Sequence, residues 1–187
     1  MTSTSTDAVP YVLRAQTSGH DHAVETLLDL AFGPGRLAKA SYRLREGVEP
    51  LDDLSFVAEY TTPGHDHLAG SIRYWPISIG PNADDVMTPA LLLGPLAVSP
   101  DLQGKGAGMA LMRISLDAAK AAGHRLVVLV GDLPYYQRAG FSTVPIGSIS
   151  MPQPFDPSRL LWRELVPGAS NGVAGEMVRP TGAEAVA

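Results

Sequence analysis

Leu96-Ala97-Val98-Ser99-Pro100-Asp101-Leu102-Gln103-Gly104-Lys105-Gly106-Ala107-Gly108 reads as the end of a strand, a glycine-rich turn and the start of a helix. The helix is expected over 103–122. Ala107, Leu111, Ile114, Ala118 and Ala121 recur at helical spacing, Arg113, Asp117 and Lys120 line the other side, and Gly123 is placed to end it. Such a turn aims several backbone N–H groups at one spot, at the positive end of the helix dipole. The stretch is therefore a site for a phosphate-bearing ligand, and spacing decides which. A P-loop needs Gly-x-x-x-x-Gly-Lys-Ser/Thr, but Lys105 is followed by Gly106, with no glycine upstream at the required distance. A dinucleotide fingerprint needs Gly-x-Gly-x-x-Gly directly after the strand; here Met109 stands where the third glycine belongs. Both nucleotide readings fail.

Around this stretch the chain alternates strands and helices. A short strand is expected at 11–15, then a helix capped by Ser18 and running to 32 with Val24, Leu27, Leu28 and Ala31 on one face. Gly33-Pro34-Gly35 breaks it. A second helix is expected at 36–46, with Leu37, Ala40 and Leu44 inward and Arg36, Lys39, Arg43 and Arg45 outward. Strands follow at 54–61 and 68–79, joined by a turn at Pro63-Gly64, and then at 90–98, where Gly94-Pro95 marks a bulge because proline cannot donate to a ladder. Past the glycine turn come a buried strand at 126–130, a short helix at 134–139, and strands from 141, at 160–166 and at 176–178. The order implies a single α/β (α+β) domain over 1–187. Its core spans 9–166, and 1–8 and 168–187 are expected to be loosely ordered. A mixed sheet of six to seven strands is expected, flanked by helices and splayed into a V between 90–98 and 126–130.

Composition narrows the function. A net charge of −5 over 187 residues argues against nucleic acid as partner. The absence of cysteine removes disulfides, thiolate metal sites and a cysteine nucleophile, and fits a reducing compartment. No apolar run approaches a membrane span, and residues 1–7 lack the basic and apolar parts of a signal peptide, so a cytoplasmic protein is expected.

Gln103-x-x-Gly106-x-Gly108 after a strand ending Leu-Ala-Val resembles the acetyl-coenzyme A signature of the GNAT superfamily of N-acetyltransferases. Tyr135-Tyr136-Gln137-Arg138-Ala139-Gly140-Phe141, at the expected distance, is similar to that superfamily's aromatic-Tyr-x-x-x-Gly-Phe segment. Gly70-Ser71-Ile72-Arg73, the bulge at 93–96 and the segment 152–165 resemble more weakly a bacterial branch of predicted acetyltransferases without an agreed substrate. The resemblance implies an acetyl-CoA-dependent N-acetyltransferase fold that moves an acetyl group to a primary amine of a small molecule or peptide by direct attack, without a metal. It makes Tyr136 the acid for the leaving thiolate. It makes Leu96, Ala97 and Val98 the strand that hydrogen-bonds the pantetheine arm, and Gln103, Gly104, Lys105, Gly106, Ala107, Gly108 and Met109 the turn that holds the pyrophosphate. A longer acyl-CoA, a non-catalytic acyl-CoA sensor and a homodimer stay open.

No base is assigned. Leu91-Leu92-Leu93-Gly94 lacks the strand glutamate of some members, and Glu59 on the neighbouring strand is the nearest substitute, beside a water relay. His65-Asp66-His67 reads as a solvated turn rather than a metal site, and His124 as a cation at a helix C-terminus. The basic run Arg36 to Arg45 reads as a solvated helix face; because the resemblance sets the first two helices beside the acceptor, a preference for an acidic one is the alternative.

Overall fold

The computed structural model describes residues 10–180 apart from 63 and 66. Pro63 of the expected turn, Asp66 and the termini 1–9 and 181–187 lie outside the described residues.

Among the described residues, nine strands form one sheet, two or three more than expected. β1 (Tyr11–Ala15), β2 (Phe56–Tyr60), β3 (Gly70–Gly80) and β4 (Thr88–Val98) run antiparallel in that order. Helix α3 (Ala107–Ala121) then crosses to β5 (Leu126–Val130), parallel to β4. β8 (Leu160–Glu164) lies antiparallel to β5, and β6 (Ser142–Thr143) to β8. The tail corrects the expectation of loose order from 168. β9 (Gly175–Val178) pairs with the end of β3 and with β7 (Ile149–Ser150), so backbone bonds tie it into the sheet.

The continuous apolar strands follow from two covered faces. On β5, Val127 and Leu129 join Ile72, Tyr74, Leu91 and Leu93 under α3, whereas Leu126 and Val128 join Trp75, Ile77 and Leu92 on the far side. The buried stripe of α3 is Ala107, Gly108, Leu111, Met112, Ser115, Leu116 and Ala119, rotated from the expected one; Ala121 is exposed. Ser115 is what hid it. Its hydroxyl is buried against the Tyr74 hydroxyl at 3.0 Å, a polar pair inside an apolar layer.

α1 (Asp21–Phe32) buries Val24, Leu27 and Leu28 as expected, but Ser18 does not cap it: Ser18 opens a 3₁₀ turn capped by Thr17, and His20 is the N-cap of α1. The Thr17 amide donates to His20 Nδ1 at 2.9 Å, at the head of a single 3₁₀ turn. The second helix is corrected more sharply. A 3₁₀ segment Pro34–Ala38 and the short α2 (Ala40–Arg43) replace it, separated by Lys39 in extended conformation. Leu37 is 62% exposed and Arg36 only 6%, the reverse of the expectation. Arg36 turns inward because α1 presents Glu25 and Asp29, whose carboxylates accept from its Nη2 at 2.5 Å and its Nε at 2.9 Å. Arg73 of β3 joins them, donating to Glu25 at 3.1 Å and to Asp21 at 3.3 Å. His124 is corrected too: burial lowers its pKa, which favours a neutral ring rather than a cation at the helix end.

α4 (Leu133–Tyr136) and the 3₁₀ turn Gln137–Ala139 occupy the expected place of the short helix.

Candidate active site

The expected V is present and has a register cause. Ile72 faces Leu96 and Tyr74 faces Leu93, so Arg73 alone spans Gly94 and Pro95. This bulge bends β4, and its pairing with β5 stops at Leu92 and Val128. Beyond that point the β5-facing edge of β4 has no strand partner among the described residues.

The glycine turn sits at the mouth of this opening. Gly106 has a φ of 88°, which side chains disfavour, and it starts the helical ladder by accepting from the Ala110 amide at 3.0 Å. Among the described residues, the amides of Gly104, Gly106, Ala107, Gly108 and Met109 donate to no backbone carbonyl. They form a cluster of free donors at the N-terminus of a 15-residue helix. Gly108 is required by a close approach: a Cβ there would collide with the Tyr135 hydroxyl and crowd Val98 at 3.2 Å.

Two adjoining cavities result. The first, about 360 Å³, runs along Leu96, Ala97 and Val98 and past the turn to Tyr135, Tyr136 and Arg138. It brings together both sequence segments and every expected residue except Lys105, which is exposed at the turn's tip and does not line it. Phe32 and Arg138 also line it and escaped the sequence reading; Arg138, within the Tyr-Tyr segment, was the legible one.

The second cavity, about 250 Å³, lies between the segment 36–45, the bulge and the end of β5. Phe32, Leu96 and Tyr136 border both cavities, so the two meet at the Tyr136 ring. That ring packs on Gly131, where a Cβ would clash with it, and lies edge-on to Tyr135 and Phe141 with centroids 5.0 and 5.9 Å away. Burial, with Tyr135 and Asp132 adding to it, pushes the Tyr136 phenol up to about 12. It keeps its proton throughout the neutral range.

Glu59 is not in this site. It accepts from Arg14 Nε at 2.6 Å and pairs with His20 Nε2 at 2.9 Å, and those bonds hold its pKa down, far from the basicity a proton acceptor needs. The one carboxylate among the lining residues, Asp132, is 3.2 Å from Arg159. The His65 ring stacks on Tyr60, and His67 Nε2 lies 3.0 Å from Ser99 Oγ. Among the described residues, no group of three or more His, Asp or Glu is placed to hold a metal.

The acetyltransferase (GNAT) domain profile matches residues 52–143, which run from before β2 to the end of β6 and include both motifs. YhbS of Escherichia coli, a GNAT family N-acetyltransferase solved with CoA, superposes with a TM-score of 0.74 at 25% identity, over 92% of this chain and 91% of that one. The chain carries a GNAT acetyltransferase domain. A GNAT acetyltransferase from Brucella melitensis, solved with acetyl-CoA, shares the fold at a TM-score of 0.65 and 24% identity, over 91% and 96% of the two chains. The NatC complex bound to Gag peptide and CoA includes a chain that matches at 0.58 and 15%, over 84% and 100%. No curated protein matches the sequence. The GNAT assignment makes the protein an acyltransferase, and the profile match leaves out the segment 36–45 that walls the second cavity. No helix among the described residues is long and apolar enough to cross a membrane.

Proposed function

We propose that the protein transfers an acetyl group from acetyl-CoA to a primary amine of a small molecule. The observation that carries this reading is the junction of the two cavities at Tyr136, one walled by the free amides of the turn and the other by side chains. The residues fit the donor: a glycine cradle with five unpaired amides suits a pyrophosphate, and the unpaired edge of β4 suits an extended amide-bearing arm. When bound, acetyl-CoA supplies a thioester carbonyl carbon and a thiolate leaving group.

Around it, the chain's own residues orient and protonate. The Leu96 amide is the donor placed to polarise the carbonyl, beside the bulge. As the C–N bond forms and the C–S bond breaks, the Tyr136 hydroxyl gives its proton to the departing sulfur. The proton lost by the attacking nitrogen passes to water, which restores the phenol. The amine arrives neutral; the carboxylate among the described lining residues, Asp132, is ion-paired with Arg159 and is given no part as base.

The test is thermal melting of the purified protein with millimolar acetyl-CoA, followed by free-thiol release with an amine panel. A stabilising shift and amine-dependent thiol are expected. No shift refutes the donor site, and a shift without thiol from any amine would favour an acyl-CoA sensor.

A further inference from the structure

The second cavity is lined by a cation, the half-buried Arg45, that has no ion-pair partner among the described residues. The Arg45 guanidinium is sandwiched between the Tyr42 and Trp75 rings, 4.6 and 4.7 Å from their centroids. Its Nε and Nη1 are shut off from solvent and have no hydrogen-bond partner. The carboxylates at the two arginines that act on Arg45 are committed: Glu25 and Asp29 to Arg36, Asp21 and Glu25 to Arg73. Burial is the largest influence disfavouring the charge on Arg45; Tyr42 offsets part of it, and those two arginines add their repulsion. A guanidinium keeps its charge at neutral pH, and a buried charge without a counter-ion is strongly unfavourable. The two rings recover part of that cost through their π faces, but they accept no conventional hydrogen bond from Nε or Nη1.

The guanidinium is also aimed. Arg45 lines the cavity, and its Nη2 lies 3.4 Å from the point where a Cβ on Gly94 would sit. The Leu96 amide nitrogen lies 3.8 Å from the same point. Because residue 94 is glycine, that point carries no side chain and lies within reach of both the Arg45 guanidinium and the proposed carbonyl-polarising amide. An acceptor bridging them carries an anion and an amine only a few bonds apart. The cavity's 250 Å³ suits one residue-sized molecule.

We propose that Arg45 receives the carboxylate of the acceptor, and that the acceptor class is free amino acids, with the carboxylate on Arg45 and the amine toward Tyr136. A peptide N-terminus lacks the α-carboxylate and is disfavoured. The inference rests on the acetyl-transfer reading above and adds the substrate class.

The experiment compares free amino acids with their methyl esters by thiol release in wild type, Arg45→Gln and Arg45→Lys. In wild type, kcat/KM for the preferred amino acid exceeds that of its ester by about 10- to 100-fold. The ester's less basic amine, more of it neutral near pH 8, biases the comparison against this outcome. Arg45→Gln abolishes the preference mainly by raising KM for the acid, and Arg45→Lys keeps part of it. Esters used as well as acids by wild type, or an unchanged preference in Arg45→Gln, overturn the proposal while leaving acetyl transfer intact. If acetyl-CoA binds and no amine reacts, the readout becomes Kd of the same acids and esters for CoA-loaded protein, and equal affinities overturn it. Failure of acetyl-CoA to bind at all removes the donor reading first. Unliganded Arg45→Met is expected to melt at or above the wild-type temperature; melting well below it makes Arg45 a structural strut and overturns the proposal.

Discussion

The two cavities that meet at Tyr136 are built by opposite means. The donor side is a backbone surface: free amides at the head of α3, an unpaired strand edge, and glycines whose contribution is the lack of a side chain. The acceptor side is a side-chain surface, in which Arg36 is locked by α1 and Arg45 is held between two rings. A backbone surface tolerates little sequence change, because one added Cβ blocks it. A side-chain surface can be re-specified one residue at a time. One half can therefore serve one donor while the other is tuned to an acceptor.

Each half can be broken separately. The largest effect is expected on the donor side from Gly108→Val, whose side chain must displace the Tyr135 hydroxyl: the acetyl-CoA thermal shift disappears, a loss of affinity of about 100-fold or more. An unaltered shift would refute the cradle. Next, Tyr136→Phe should lower kcat by about 10- to 100-fold while leaving the Kd for acetyl-CoA within about twofold, read by single-turnover kinetics and titration. Unchanged kcat would remove the acid role. The same tyrosine fixes a pH signature. With its phenol raised to about 12, the wild-type rate should climb as the acceptor amine loses its proton and show no alkaline fall from Tyr136 below about pH 11. The sign for stability is that of a raised pKa. The contribution of Tyr136 is whole below the ordinary tyrosine value near 10 and is lost as pH rises toward 12, measurable as a falling melting temperature.

On the acceptor side, Glu25→Gln removes a carboxylate shared by Arg36 and Arg73. It should destabilise the protein by about 2 kcal/mol, lowering Tm by about 4–8 °C, and leave acetyl-CoA binding in place. A matching loss of acetyl-CoA affinity would show that the two halves are not independent. The smallest effect is expected from Ser115→Ala, about 1 kcal/mol by denaturant titration, because it orphans the Tyr74 hydroxyl in the layer under α3.

The same contrast governs what was legible in the sequence. The donor half could be read because it depends on residue types at fixed spacing: Gly106 and Gly108 after an apolar strand, Tyr135 and Tyr136 before Gly140 and Phe141, and Gly94-Pro95 as the cause of the splay. Lys105 was the one expected donor residue outside the cleft, since a middle position in a turn does not say which way a side chain leaves. The acceptor half depends on long-range charge pairing. The basic run from Arg36 to Arg45 has the period of a solvated helix face, and nothing local announces that Glu25 and Asp29 draw Arg36 inward. The helix itself fails for that reason, and with it the inward place given to Leu37. Ile149–Ser150 went unread because two residues carry no period at all.

β9 meets β3 at Ser78, Ile79 and Gly80, on the edge that β2 covers only at Gly70, Ser71 and Ile72. About a hundred residues separate these partners along the chain, so during synthesis the distal edge of β3 emerges long before its cover. Until 175–178 leaves the ribosome, that stretch of apolar strand is an open template for other chains. Exposure to misassembly should thus depend on how soon 175–178 follows β3, and slowing translation just before Gly175 should lengthen it.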